Sequence, residues 1–172
     1  MARNLLVYAA DPGPVAYAAK IAEAAGEDLG LVVTAIEFHR EKVSGGRIEE
    51  ERDYAETRFN TFDEPIFIGS AIAQLAGHAE AVVVDGLEDW VGRLQQRFAN
   101  EPVELDAEIS SLMSVMQARM ADLVLVARPE VVQDAKVRSL LARVLGQLEP
   151  RVDVIVELRR GAPRATKGAL PV

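Results

Sequence analysis

The sequence contains no cysteine among its 172 residues, and only 5% of them are aromatic. The absence of cysteine excludes disulfides, thiolate metal sites and cysteine nucleophiles. It is also typical of a reducing compartment, so we expect a cytoplasmic location. No stretch approaches the roughly 18 consecutive apolar residues that a membrane-spanning helix needs, and the N-terminus has no apolar segment followed by a cleavage site. We therefore expect neither a membrane partner nor a signal peptide.

Positive charge is also scarce, because 19 lysines and arginines stand against 27 aspartates and glutamates, a net charge of −8. Such a balance repels nucleic acid, so no nucleic-acid partner is expected. The one concentration of basic residues lies near the C-terminus, at residues 159–167, and is interrupted by proline and glycine. This composition predicts a single domain over residues 1–160 followed by a flexible tail over residues 161–172.

Short apolar runs alternate with helical patterns along the whole chain. The runs, which predict strands, cover residues 4–9, 29–35, 79–86, 121–129 and 152–158. This alternation predicts a three-layer α/β fold in which a parallel-rich sheet of at least five strands carries helices on both faces. Ligands of such sheets bind beyond the carboxyl ends of the strands, so the loops after residues 9 and 85 are the candidate sites.

The loop after the first run has the layout of a phosphate-binding loop but lacks its chemistry. A P-loop reads G-x-x-x-x-G-K-[ST], where glycine amides and lysine hold phosphates and the hydroxyl binds Mg²⁺. Residues 9–16 read AADPGPVA, with one glycine, no lysine and no hydroxyl. Asp11 in this loop either supplies a substitute polar group or, as we prefer, bonds the backbone of a turn.

The run VVVD at residues 82–85 has the pattern of the second element of such a site. In P-loop proteins, an aspartate at the end of a hydrophobic strand supports the metal ion. Asp85 is accordingly the candidate metal ligand, although an aspartate at a strand end also caps the helix that follows. Both interpretations stay open, and we prefer the second.

The order of these pieces resembles the bifunctional adenosylcobinamide kinase/adenosylcobinamide-phosphate guanylyltransferase family of cobalamin synthesis. The matching motifs are TA at residues 34–35, RIEEER at 47–52, DEP at 63–65 and VDGLEDW at 84–90. The resemblance covers roughly residues 3–160, and VDGLEDW is its most specific part. It implies a P-loop NTPase-like fold and a homo-oligomer, with a trimer as one state that the family suggests.

The departures from the family fall on the catalytic positions. Val15 stands at the position of the P-loop lysine and Ala16 at that of the serine. The vestigial loop comprises Ala10, Asp11, Gly13, Val15 and Ala16. A valine cannot neutralise phosphate charge, so Mg-nucleotide is not expected to bind tightly.

Glu51 occupies the position of the family's guanylyl-carrying histidine. It is a nucleophile in principle, but it lies among Glu49, Glu50 and Asp53, whose charges repel a triphosphate. We therefore prefer to interpret this segment as a solvated acidic helix face, and no catalytic residue is assigned.

Two functional hypotheses follow from the resemblance and its departures. The first is a divergent, non-catalytic relative that acts by binding a ligand, such as a corrinoid fragment, or a partner. The second is a nucleotide-dependent kinase or nucleotidyltransferase that acts on a cobalamin precursor through residues recruited elsewhere. We prefer the first because three catalytic elements are missing together.

Overall fold

The computed structural model describes residues 2–10, 14–34 and 59–172. The strands are β1 (Asn4–Ala9), β2 (Leu29–Val33), β3 (Asn60–Asp63), β4 (Ala81–Asp85), β5 (Asp122–Ala127), β6 (Val154–Arg159) and β7 (Ala162–Lys167). The α-helices in these ranges are α1 (Pro14–Ala25), α2 (Ile68–Ala76), α3 (Leu87–Arg97), α4 (Pro102–Ala118) and α5 (Ala135–Leu148). Single 3₁₀ turns follow β5 and α5, at Pro129–Val131 and Glu149–Arg151.

The seven strands of the described ranges form one sheet in the order β3-β2-β4-β5-β1-β6-β7. Every neighbouring pair is parallel except β6 and β7, which are antiparallel. In this register Asp85 lies opposite Val126, and Tyr8 lies opposite Ala127. The carboxyl ends of β4, β5 and β1 therefore meet at the same edge of the sheet.

Helices cover both faces of the sheet, as the alternating pattern predicts. On one face, α1 packs its alanines and Ile21 against β1, β4 and β5. On the other face, α2, α3, α4 and α5 enclose a larger core around the fully buried Trp90. The inner strands are apolar at consecutive positions because both of their faces are buried. The predicted three-layer α/β fold, with a parallel-rich sheet and helices on both faces, is confirmed.

The C-terminal segment departs from the sequence prediction. Residues 161–172 were expected to form a flexible tail, but Ala162–Lys167 forms β7 and pairs with β6. Basic residues and a proline are typical of solvated tails, but they are equally tolerated on an edge strand, where one side of the backbone faces solvent. Pro163 and Arg164 therefore occupy an edge rather than a tail.

Other boundaries shift by a few residues. The last parallel strand begins at Val154 rather than at residue 152, and α4 begins at Pro102 rather than at residue 105. The charged segment that the sequence predicts to be helical before residue 59 lies outside the described residues. No helix in the described ranges is long and apolar enough to cross a bilayer.

The amino edge of the sheet carries an ion pair that gives a pH-dependent prediction. The Asp153 carboxylate accepts hydrogen bonds from Arg119, at 2.8 and 3.2 Å, and from the backbone N–H of Asn4 at 2.8 Å. The Arg119 hydrogen bond lowers the pKa of Asp153 below its usual value. A depressed carboxylate pKa contributes stability above the unfolded-state pKa of about 4, and this contribution is lost as the pH falls through the folded-state pKa.

We therefore expect Asp153→Asn to lower the melting temperature at pH 6 and to lose this effect progressively below about pH 4. Thermal melts at a series of pH values would measure the difference between the two proteins. A difference that stays constant down to pH 2.5 would contradict the assignment. Asp106→Asn, which removes an exposed ion pair with Arg143, is the control.

Candidate functional site

Charged residues of opposite sign meet at the carboxyl edge of the sheet. Asp85 is the last residue of β4, and Arg128 directly follows β5. Because β5 lies between β4 and β1, Asp85 is two strands from the loop that follows Ala9, or about 10 Å at the usual strand spacing. Arg128 thus projects from the strand that separates the candidate metal ligand from the vestigial loop.

Asp85, Glu88 and Arg128 form a compact ionic group, called here the Arg128 cluster. One terminal nitrogen of the Arg128 guanidinium donates to Asp85 Oδ1 at 3.0 Å, and the other donates to Glu88 Oε1 at 3.0 Å. The second oxygen of Glu88 accepts from the Arg128 backbone amide at 3.2 Å. Residue 128 therefore binds both oxygens of Glu88 and bridges the two carboxylates.

The cluster is largely buried, since the exposed side-chain fractions are 17% for Arg128, 12% for Asp85 and 4% for Glu88. Burial raises the pKa of Glu88, and the attraction of Arg128 offsets only part of that effect. Burial also acts to lower the pKa of Arg128, but the charges of Asp85 and Glu88 outweigh it and raise that pKa overall. Arg128 is consequently a permanent positive charge at this edge of the sheet.

The turn between β4 and α3 holds the two carboxylates in place. Gly86 adopts a left-handed conformation, with φ of 96°, and precedes the first residue of α3. The buried Thr34 hydroxyl donates to the backbone carbonyl oxygens of Asp85 and Gly86. Glu88 and Asp89 then lie in the first turn of α3, where the helix dipole favours negative charge.

Gly86→Ala is therefore expected to destabilise the protein by about 1–3 kcal/mol. A Cβ at this position would lie 2.7 Å from Thr34 Oγ1, in addition to the cost of a positive φ for alanine. Urea unfolding measures the loss, and Gly146→Ala is the control because nothing lies within 4 Å of its Cβ position. Equal stability of Gly86→Ala and the wild type would show that the turn relaxes freely.

Trp90 anchors α3 one turn further along. Its side chain is fully buried, and its indole Nε1–H donates to the Ile66 carbonyl at 2.8 Å. The bond ties α3 to the segment before α2. Within the VDGLEDW motif, Trp90 therefore fixes the helix that carries Glu88.

A separate cleft lies beyond the ends of β1, β5 and β6, with a volume of about 280 Å³. Its lining includes Ala10 of the vestigial loop, and the charged residues that line it in the described part of the chain are Glu130, Glu149, Glu157 and Arg159. Three carboxylates thus face one guanidinium. The Tyr8 hydroxyl donates to Glu149 at 2.6 Å; burial, followed by the interaction with Glu149, raises the pKa of Tyr8. The cleft presents a net negative charge and a neutral phenol.

The structure brings together only part of the predicted site. Ala10 is an exposed bend after β1, and Val15 and the exposed Ala16 lie in the first turn of α1. Asp11, Gly13 and Glu51 lie outside the described residues. Asp85 is at a strand end as predicted, but it is not on a strand adjacent to β1, and its carboxylate contacts Arg128.

Sequence reasoning missed Arg128 and Glu88. The signal for Arg128 was a charged residue directly after the buried run LVLVA, at the edge where ligands bind. The signal for Glu88 was its place three residues after Asp85, in the first turn of the next helix. Neither signal identifies the partner, because residues 85 and 128 are 43 positions apart in the sequence.

The donors around Asp85 fit a divalent cation poorly. Mg²⁺ requires oxygen ligands at about 2.0–2.1 Å in octahedral geometry. Here a guanidinium lies between the two carboxylates, and Ala16 offers no hydroxyl. Within the described part of the chain, no group of three or more histidine, cysteine, aspartate or glutamate residues could hold a metal ion.

Comparison with known proteins identifies the family. A search of curated proteins found no match. Among solved structures, the chain is similar to the KaiC-like protein PH0186 from Pyrococcus horikoshii OT3, with a TM-score of 0.53 and 16% identity over 96% of this chain and 79% of the other. At this identity the similarity concerns the fold alone. Residues 6–156 match the family described as cobinamide kinase / cobinamide phosphate guanyltransferase. Because this match extends from β1 to β6, the protein belongs to that family.

Proposed function

We propose that the protein is a divergent, non-catalytic member of the family that acts by binding a ligand or a partner. The single observation that carries the proposal is the sequence at the start of α1, where the family resemblance aligns Val15 and Ala16 with the P-loop lysine and serine. That lysine and the bound metal neutralise charge that develops on the transferred phosphoryl group. Neither contribution is available from a valine and an alanine.

The electrostatics beside α1 support the same proposal. Among the described residues that line the cleft with Ala10, the charged ones are Glu130, Glu149 and Glu157 against Arg159. A cleft lined by one sign of charge concentrates ligands of the opposite sign and repels those of the same sign. A nucleoside triphosphate is strongly anionic, so this cleft favours a ligand without phosphate groups. Mass spectrometry of small molecules that co-purify with the protein would identify such a ligand.

The second candidate function is a nucleotide-dependent kinase or nucleotidyltransferase that acts on a cobalamin precursor. The family match over residues 6–156 favours it, as does the retention of Asp85 and Trp90 in the family motif. In that case, residues other than Val15, Ala16 and Glu51 would supply the missing charges.

Transfer of label from ATP or GTP to adenosylcobinamide distinguishes the two functions. Under the proposed function we expect no turnover by the wild type, and Asp85→Ala changes only the stability of the fold. Turnover by the wild type that Asp85→Ala abolishes would establish the second function, because loss of a metal ligand costs orders of magnitude in rate. Circular dichroism of Asp85→Ala is the control for folding.

Cellular location and assembly are part of the same proposal. We propose a cytoplasmic protein, because the sequence contains no cysteine. We also propose that it assembles as a homo-oligomer, as the family resemblance implies. Size-exclusion chromatography with light scattering would determine whether the assembly is a trimer.

A further inference from the structure

Two nearly buried carboxylates at the end of β4 require a compensating cation. Asp85 and Glu88 lie close enough that one guanidinium contacts both, and each is shielded from solvent. Buried charges without a partner are costly, whereas shared hydrogen bonds to a cation offset that cost. Arg128 supplies such a cation from within the chain.

The Arg128 guanidinium lies between the two carboxylates. Separate nitrogens contact Asp85 and Glu88, each at 3.0 Å, while the backbone amide of the same residue holds the second Glu88 oxygen. Arg128 is fixed by its place at the end of β5, and its charge is permanent. A guanidinium has no acceptor and no vacant coordination position, so it cannot bind phosphate oxygens as Mg²⁺ does, through direct coordination.

We propose that Arg128 is a resident cation that takes the place of a divalent metal ion at Asp85 and Glu88. The cluster is thereby complete without metal, and it blocks the coordination of a metal-bound nucleotide at this strand end. This inference rests on the proposed non-catalytic function and names the residue that maintains it. It also predicts that removal of the guanidinium makes the site responsive to divalent cations.

The test compares melting temperatures of the wild type, Arg128→Ala and Arg143→Ala in Mg²⁺ or Ca²⁺, each against KCl of equal ionic strength. Arg143 forms an exposed ion pair with Asp106 and is the matched control. We expect Arg128→Ala to melt at a lower temperature than the wild type. In 10 mM divalent cation its melting temperature should rise by about 3–6 °C, which is the shift expected when the ion is present at about ten times its Kd. The wild type and Arg143→Ala should show no divalent-specific shift.

A second pair of variants keeps the proposal falsifiable. Arg128→Ala/Glu88→Gln should lose the divalent response, because one of the two carboxylates is gone. Arg128→Lys retains a positive charge and should fold without divalent cations. The proposal is overturned if the wild type responds as strongly as Arg128→Ala does. It is also overturned if Arg128→Ala gains nothing from divalent cations, or stays unfolded at every concentration while Arg128→Lys folds.

Failure of this inference is distinguishable from failure of the proposed function. The proposed function depends on the label-transfer assay with the wild type, which contains Arg128. The resident-cation role depends on how Arg128→Ala responds to Mg²⁺ or Ca²⁺ in the absence of nucleotide. If the wild type shows no turnover and Arg128→Ala shows no response to divalent cations, the proposed function therefore stands and the resident-cation role is overturned.

Discussion

Replacement of Trp90 by alanine is expected to lower the free energy of unfolding by about 3–5 kcal/mol. Trp90 is the only tryptophan and is fully buried in the core between the sheet and helices α2 to α5. Alanine would leave a large cavity and remove the indole donor to the Ile66 carbonyl. Urea unfolding followed by circular dichroism measures the loss, since the variant has no tryptophan fluorescence.

Two further variants separate the causes of this effect. Trp90→Phe retains most of the ring but removes the N–H donor, so we expect a loss of about 1–3 kcal/mol from the bond and the unpaired carbonyl. Val103→Ala is the control, because Val103 is 75% exposed and its truncation should change stability by no more than about 0.5 kcal/mol. A loss below about 1 kcal/mol for Trp90→Ala would contradict the role of Trp90 as the structural anchor of the motif.

Arg128→Met is expected to destabilise the protein by about 3–5 kcal/mol, because it leaves two nearly buried carboxylates without their shared cation. Methionine retains much of the side-chain volume, so the change isolates the charge. Chemical unfolding at pH 7 in buffer without divalent cations measures the loss.

The matched control is Arg143→Met, which breaks an exposed ion pair and should cost no more than about 1 kcal/mol. In the Arg128→Met background, Glu88→Gln should recover part of the lost stability, because it removes one of the buried charges. The account of the cluster is contradicted if Arg128→Met costs no more than Arg143→Met.

Local patterns were sufficient to predict most of the strands. Asn4–Ala9 and Ala81–Asp85 are apolar at consecutive positions, and a strand buried on both faces produces that pattern wherever it stands in the sheet. Helix ends were less accurate, because capping and the first turn depend on neighbouring elements. β7 was missed because its composition is also that of a solvated terminus, and only pairing with β6 distinguishes the two.

The candidate site was predictable only in part for a related reason. Position along the chain predicted that Asp85 ends a strand, and the family resemblance identified Val15 and Ala16 as departures. The sequence did not predict that β5 separates β4 from β1, because strand order depends on contacts across the whole fold. The pairing of Arg128 with Asp85 and Glu88 follows from that order and could not be derived without it.

The proposed function requires that the family's nucleotide site does not bind Mg-nucleotide tightly in this protein. Isothermal titration calorimetry of the wild type with ATP or GTP, each in the presence of Mg²⁺, tests it most directly. With valine and alanine at the positions of the P-loop lysine and serine, a negatively charged cleft beside α1 and Arg128 paired to Asp85, we expect an affinity no tighter than millimolar. Low-micromolar binding of either nucleotide would contradict the account.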